Sequence, residues 1–315
     1  MAVPYSGRGT AIGLGAESTW GTAVSRTNWL KAESVTLNEK VVTGDVPHLV
    51  HGDEGDIRDS YCERTEVTGR IVVELRYDGC GMLLAAALGG SSTAGTGSPY
   101  THTYALSATL GSLTIEVKRG TSGNSQVFEG CKVTSFEIAV STGQVAKLTV
   151  DFIGQTSAAR SSTGTPSFGT GEFIEHKDAW SASWGGTVAG VRSLTIRGNN
   201  NLARVDELGS AATQEPEIGS FRRFTCDMER SYRDDTQYAA HKAETQQDLT
   251  ITCTGDVSPN AGTFLFRNAK ATDVNSDISD FGVLTESLTF TGYADASDPS
   301  FEIAIVNGTA SAIAN

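Results

Sequence analysis

RYDGCGMLLAAALGG, residues 76–90, changes its period halfway through. Arg76–Asp78 close a run in which apolar and polar residues alternate, as in a half-buried strand. From Gly81 the alternation gives way to Met82, Leu83, Leu84 and Leu88 set among alanines, a helical composition. Asp78 is placed to cap a helix over about Gly81–Leu88, and Gly89 with Gly90 to stop it. The leucine face would lie on a sheet, with the alanines allowing close approach. A more polar version, SYRDDTQYAAHKAET, residues 231–245, returns in the second half. There Asp234 takes the capping place, and Tyr238, Ala239 and Ala243 form the expected packing face.

Outward from these two segments the halves read alike. The strand-like runs TGRIVVELRY (68–77), LTIEVKRG (113–120), VFEGCKVTSFEIAV (127–140) and QVAKLTVDFIG (144–154) surround the first helix. RRFTCDMERSY (222–232), LTITCTGD (249–256), FLFRNAKATDV (264–274) and GVLTESLTFTGYA (282–294) follow in the same order around the second. Phe128 with Lys132 answers Phe266 with Lys270, and Leu148 with Gly154 answers Leu288 with Gly292. Upstream, Trp20-Gly21 and Trp184-Gly185 each precede a small-residue turn and a strand. The stretch GQTSAARSSTGTPSFGTG (154–171) is rich in turn formers and suits a linker. The pattern predicts a duplication, with a first domain over residues 1–156 and a linker plus second domain over 157–315. An extra glycine- and serine-rich stretch, residues 89–111, has no counterpart in the second half.

Glycine supplies 35 of the 315 residues, proline 7, and charged residues 19%. That balance suits short strands joined by many turns, so the expected class is all-β. A formal net charge of −13 argues against a grip on nucleic acid, because affinity for duplex DNA comes mainly from lysine and arginine displacing counterions. Cys62, Cys80, Cys131, Cys226 and Cys253 have no metal-binding spacing and read as free thiols of a reducing cell. The opening MAVPYSGRGTAIGLG lacks the apolar core of a signal peptide, and no run reaches membrane-spanning length. The expectation is a protein made in the cytoplasm, with no membrane partner.

No motif for chemistry emerges. GRGTAIGLG has close glycines but no preceding strand and no following helix, so it reads as a flexible arm rather than a phosphate loop. HGDEGDIRD (51–59) concentrates Asp53, Glu54, Asp56 and Asp59, but lacks the alternate ligands and closing glutamate of a calcium loop. His48 and His51 beside it read as surface residues, and His102, His176 and His241 stand alone. There is no nucleophile elbow, no HExxH and no serine or cysteine with a local base. No catalytic residue, metal or cofactor is expected. Trp20, Trp29, Trp180 and Trp184 stand beside strand starts, which favours core or interface roles.

Taken in order, GLGAESTWGTAV, VTGRIVVELRYDGCGMLLAAALGG, YTHTYAL, LTIEVKRG, FEGCKVTSFEIAV, AKLTVDFIG, VRSLTIRGNNNL and FEIAIVNG resemble the tail tube proteins (major tail proteins) of long-tailed bacteriophages. The resemblance implies tandem β-sandwich or barrel tube domains, each flanked by one helix, in a structural virion protein. Its rings would stack into a hollow conduit for ejection of the double-stranded genome. Relatives with one tube domain form rings of six; two domains per chain would make a trimeric ring with pseudo-sixfold symmetry, with a hexamer of one larger domain as the other arrangement. The resemblance also implies a tape measure protein and a tail terminator as partners, and DNA that passes without specific binding. By position, the N-terminal arm with Tyr5, Arg8 and Trp20 would bridge rings. So would the charged stretch with Asp53, Glu54, Asp56, Arg58, Asp59, Glu63 and Arg64. An acidic channel lining would give the net charge a purpose. The rival readings are a tail terminator, the inner tube of a contractile apparatus, an enzyme on an all-β scaffold, and a carbohydrate-binding or adhesin sandwich.

Overall fold

The alternating runs form strands, and the order in which they pair sets the architecture. The computed structural model describes residues 10–46, 59–120, 124–160, 164–276, 282–295 and 298–313. The first half holds β1 (Ala11–Ala16), β2 (Asn28–Leu30), β3 (Ala32–Val35), β4 (Asn38–Val46), β5 (Asp59–Glu74), α1 (Gly81–Leu88), β6 (Gly89–Ala94), β7 (Tyr100–Leu106), β8 (Leu113–Arg119), β9 (Asn124–Ser141), β10 (Lys147–Gly154) and β11 (Thr156–Arg160). The second holds β12 (Ser181–Trp184), β13 (Val191–Asn199), β14 (Leu202–Val205), β15 (Gln214–Ile218), β16 (Arg223–Ser231), α2 (Thr236–Lys242), β17 (Gln247–Thr254), β18 (Ala261–Asn275), β19 (Thr285–Thr291) and β20 (Phe301–Asn307). The fold is all-β.

A long central sheet runs through the molecule. Both β3 and β4 pair with β5, which is followed by β10, β9, β13, β16, β19 and the last part of β18. One outer sheet has the order β2-β1-β8-β9-β11, the other β12-β17-β18-β20-β7-β6. Thus β9 and β18 each begin in an outer sheet and end in the central one. The change falls at Gly130 (φ 66°) and Asn268 (φ 46°), left-handed residues that bulge and twist a long strand. Gly130 also has to be small, since a Cβ there would lie 2.9 Å from the Trp20 indole nitrogen.

Followed along the chain, each half lays down the same series of pairings. An outer strand (β1; β12) precedes the first central-sheet strand of its half (β3; β13), which pairs with the next (β5; β16). After the helix come an outer strand (β8; β17), the long two-sheet strand (β9; β18), a return into the central sheet (β10; β19) and a last outer strand (β11; β20). The halves meet where β9 pairs with β13, with Ile138 opposite Ile196 and Phe136 opposite Gly198. One continuous apolar core lies beneath both halves.

Helix α1 occupies the expected residues and stops at Gly89 (φ 91°). Asp78 does not cap it. The N-cap is Cys80, and Asp78, two positions earlier, is too far back to reach the first-turn amides; it accepts the Thr309 hydroxyl at 2.7 Å. Asp234 likewise stands one place before the N-cap Asp235 and takes the Thr236 N–H at 3.0 Å. The face of α2 also differs from expectation. Tyr238, Ala239 and Ala243 are exposed, while Gln237, Ala240 and His241 turn inward, with the His241 imidazole 2.6 Å from the Ala271 carbonyl. In so short a helix the i, i+3, i+4 triple nearest the sheet decides, and Gln237 starts it.

Two stretches read as irregular are strands. Ala11–Ala16, within the expected arm, is a buried strand between β2 and β8, and Thr156–Arg160 of the expected linker lies on β9. The extra stretch after α1 forms the β6–β7 hairpin, which extends the outer sheet of the second half through β7 and β20. That seam is bolted by polar contacts: buried His102 lies 3.0 Å from both Thr93 Oγ1 and Asn307 Oδ1, and the Asn307 amide donates to the Tyr77 carbonyl at 2.7 Å.

Cys62 is exposed; the other cysteines are buried, and burial pushes Cys80 up to about 11 and Cys253 to about 12. A thiol reagent at neutral pH should therefore modify Cys62 alone in the native chain and all of them after unfolding, because the thiolate is the reactive form. Mass spectrometry of the labelled peptides checks this, and rapid native labelling at Cys131 or Cys226 would contradict the core described.

Candidate functional site

The central sheet has two unlike faces. Toward the core it presents Ile71, Val73, Leu148, Val150, Phe136, Ile138, Ile196 and Phe290. Because side chains alternate along a strand, the other face collects the polar partners in rows. One row reads Arg70, Asp151, Ser135, Asn199, Arg223; the next Val72, Thr149, Glu137, Arg197, Thr225, Thr291; the third Glu74, Lys147, Ala139, Thr195, Asp227, Thr289, Asp273. Acids outnumber bases here, and several bases are already engaged. The Arg70 guanidinium donates twice to Asp151 (2.7 and 3.0 Å), Arg197 donates to Glu137 at 2.9 Å and also to Asp227, and Lys147 lies 2.8 Å from Glu33.

These pairs hold one another's charge. Burial alone would raise the Asp151 carboxyl, but hydrogen bonds from Arg70 and Ser135 outweigh it and set it below the usual carboxylate range. Arg70 is raised by the same bond. A folded-state value below the unfolded one means that this contribution to stability is present above the unfolded value and is lost as pH falls through the folded one. Chemically, these rows hold five carboxylates and four bases, and arginines that face carboxylates offer little to a phosphate.

The ends of the central sheet are the second feature. Strand β3 pairs only with β5, and Ala271–Val274 of β18 pair only with β19, among the described residues. Glu33, Ser34, Thr272 and Asp273 are exposed on these edges, with Val35 and Val274 half-buried. Their places match those of the internal seam. Val274 lies opposite Leu288 as Ile138 lies opposite Leu148, and Ala271 opposite Phe290 as Phe136 opposite Val150. Val35 lies opposite Ile71 as Ile196 lies opposite Cys226. Two residues further on, Leu37 stands where Gly198 stands.

Of the expected ring-bridging residues, Tyr5, Arg8, Asp53, Glu54, Asp56 and Arg58 lie outside the described residues. Asp59, Glu63 and Arg64 are on the first half of β5, in a hairpin with β4. Arg64 turns to its own chain, pairing with Glu63 and with Glu66 at 2.6 Å. Trp20 is half-buried and donates its indole N–H to the Gly130 carbonyl at 3.1 Å. Trp29 and Trp184 are in the core, and Trp180 stacks on Phe264 at 6.4 Å. Among the described residues no group of three histidine, cysteine or acidic side chains could hold a metal ion. Sequence reasoning missed the edges of β3 and β18; the available signal was the polar turn of KATDVN after an apolar strand.

The site comprises one polar face, two sheet edges of matching kind that pair with no further strand among the described residues, with the His241 imidazole at the Ala271 carbonyl of one, and an internal seam joining the same two kinds of edge. A family described as phage tail tube protein matches residues 7–308. No curated protein matches the sequence.

Proposed function

The chain belongs to the phage tail tube protein family, a structural, non-enzymatic family of the virion tail whose members self-assemble into a tube, and from that premise we propose that three copies close into a ring. Each chain contributes two tube domains, which follow one another as the two runs of matching pairings do; β11 is counted with the first. The rings stack into the conduit through which double-stranded DNA is ejected, with a tape measure protein inside and a terminator at the end.

The observation that carries this reading is the β9–β13 seam. It is an edge-to-edge joint between the outermost central-sheet strand of the first half and the first central-sheet strand of the second, and the central sheet ends in the same two kinds of edge. Unpaired edges invite pairing. A head-to-tail contact that repeats by rotation closes into a ring and removes every edge. In the register of the seam, Val274 would face Val35 and Ala271 would face Leu37 of the adjoining copy. The bulky member changes sides: Phe136 against Gly198 within the chain, Leu37 against Ala271 between chains. The polar, self-paired face of the central sheet, with five acids to four bases in its rows, would then line the channel.

Negative-stain microscopy with mass measurement of the purified protein tests the proposal. The expected result is rings of three chains with six lobes, and hollow filaments of stacked rings. A monomer at every concentration would end the tube reading, and a ring of six chains would end the threefold one.

A further inference from the structure

The hairpin β14–β15 takes no part in the main sheets; its strands pair only with each other among the described residues. It is nonetheless held firmly. Buried Asn200 at its base donates to the Ala87 and Val133 carbonyls at 2.9 and 3.0 Å, and the Lys132 ammonium lies 2.7 Å from Glu215. Buried Thr213 bonds across the hairpin to Val205, and the Thr65 N–H reaches the Ala211 carbonyl at 2.7 Å. At the tip of this pinned loop Leu208 is 106% exposed, beside exposed Asp206 and Glu207, and Phe221 near the base is 95% exposed. Held in this way, the tip presents an apolar side chain that its own hairpin leaves uncovered.

One end of the β9–β13 pair holds a cavity of about 260 Å³, lined by Val140, Thr142, His176, Trp180, Val188 and Val191, with Arg192 exposed at its rim. That volume is below the ~300 Å³ of the smallest usual ligand pockets and suits one or two side chains. β13, nine residues and roughly 30 Å long, begins at the cavity and ends where the hairpin departs. A chain cannot fill its own cavity with its own tip.

We propose that the β14–β15 tip of a copy in one ring docks, through Leu208, into the β9–β13 cavity of a copy in the next ring. The proposal rests on the tube reading above. The occupant is a second copy of this chain because tip and cavity lie at opposite ends of β13 and can meet only between copies. A contact of that kind does not close on itself but propagates as a filament. Charge agrees with it, since exposed Glu207 would meet exposed Arg192, while Asp206 is held by Arg204 at 2.5 Å.

The test is the concentration at which tubes form, with rings scored in the same preparation. Leu208→Asp should leave rings intact and raise the concentration needed for tubes roughly tenfold or more, the weight of one leucine withdrawn from burial. Glu207→Arg and Arg192→Glu should each weaken stacking, and the two together should restore it, which a merely structural role of either residue would not produce. Normal tubes from Leu208→Asp, or no restoration by the double charge swap, would overturn the docking while leaving rings and the tube reading in place. A wild-type chain that forms neither rings nor tubes would remove that reading, and the docking with it.

Discussion

Chains carrying Val274→Asp are expected to fold normally and to form no rings at concentrations where the wild type closes them. Val274 is half-buried on the open edge of β18, so an aspartate there reaches water in the monomer. In the proposed ring it would face Val35 of the adjoining copy, as Ile138 faces Ile196, where both isoleucines are fully buried. An unpaired carboxylate in such a place costs on the order of 3–5 kcal/mol. Each joint would weaken more than a hundredfold, and a ring of three has three joints. Size-exclusion chromatography with light scattering reads the assembly, and circular dichroism the fold. Val274→Ile, which keeps the surface apolar, should assemble like the wild type. Rings from Val274→Asp at the wild-type concentration would show that this edge is not the joint.

Stability should respond most strongly at the internal seam. Phe136 packs with its ring centre 6.2 Å from those of both Phe224 and Phe301, and is buried. Phe136→Ala should cost about 3–5 kcal/mol of unfolding free energy. Gly198 lies directly beneath it: a Cβ there would come within 2.2 Å of the Phe136 ring and 2.8 Å of Phe224. Gly198→Leu alone should overpack the seam and cost about 1–3 kcal/mol or more. Together the changes should cost less than their sum, by a coupling of about 0.5–3 kcal/mol, because the leucine enters the space the ring leaves. In the first half Leu37 already occupies the matching position beside Gly69, where a Cβ would lie 2.4 Å from the Leu37 Cα. Urea unfolding of the two single variants and the double variant measures the cycle. Strict additivity would mean that the two side chains do not compete for one space.

Particular residues show why some features were legible and others were not. Helix α1 could be read to its last residue because Gly89 adopts a left-handed conformation and the leucines are contiguous, both local signals. The cap was misread because a capping side chain must stand at one position, and Gly79 between Asp78 and Cys80 moved it. Ala11–Ala16 reads as an arm because AIGLGA lacks alternation, yet both its neighbours are strands and it is buried nearly throughout. Its faces are covered by partners distant in the chain, so no local period remains. Leu208 and the cavity near Trp180 carried no signal at all: an exposed leucine in a loop is unremarkable until the loop is seen to be pinned.

The sequence by itself determined the all-β class, the places of both helices and most strands. Alternation, glycine stops and composition are properties of neighbouring residues, and they survive without knowledge of partners. Only the tertiary structure decided that β9 and β18 each serve two sheets, that β9 joins β13, and that matching edges remain open at the two ends. Strand pairing is a contact between residues far apart in the chain, chosen by which apolar faces can be buried together. A run of alternating residues states that it needs a neighbour but not which one.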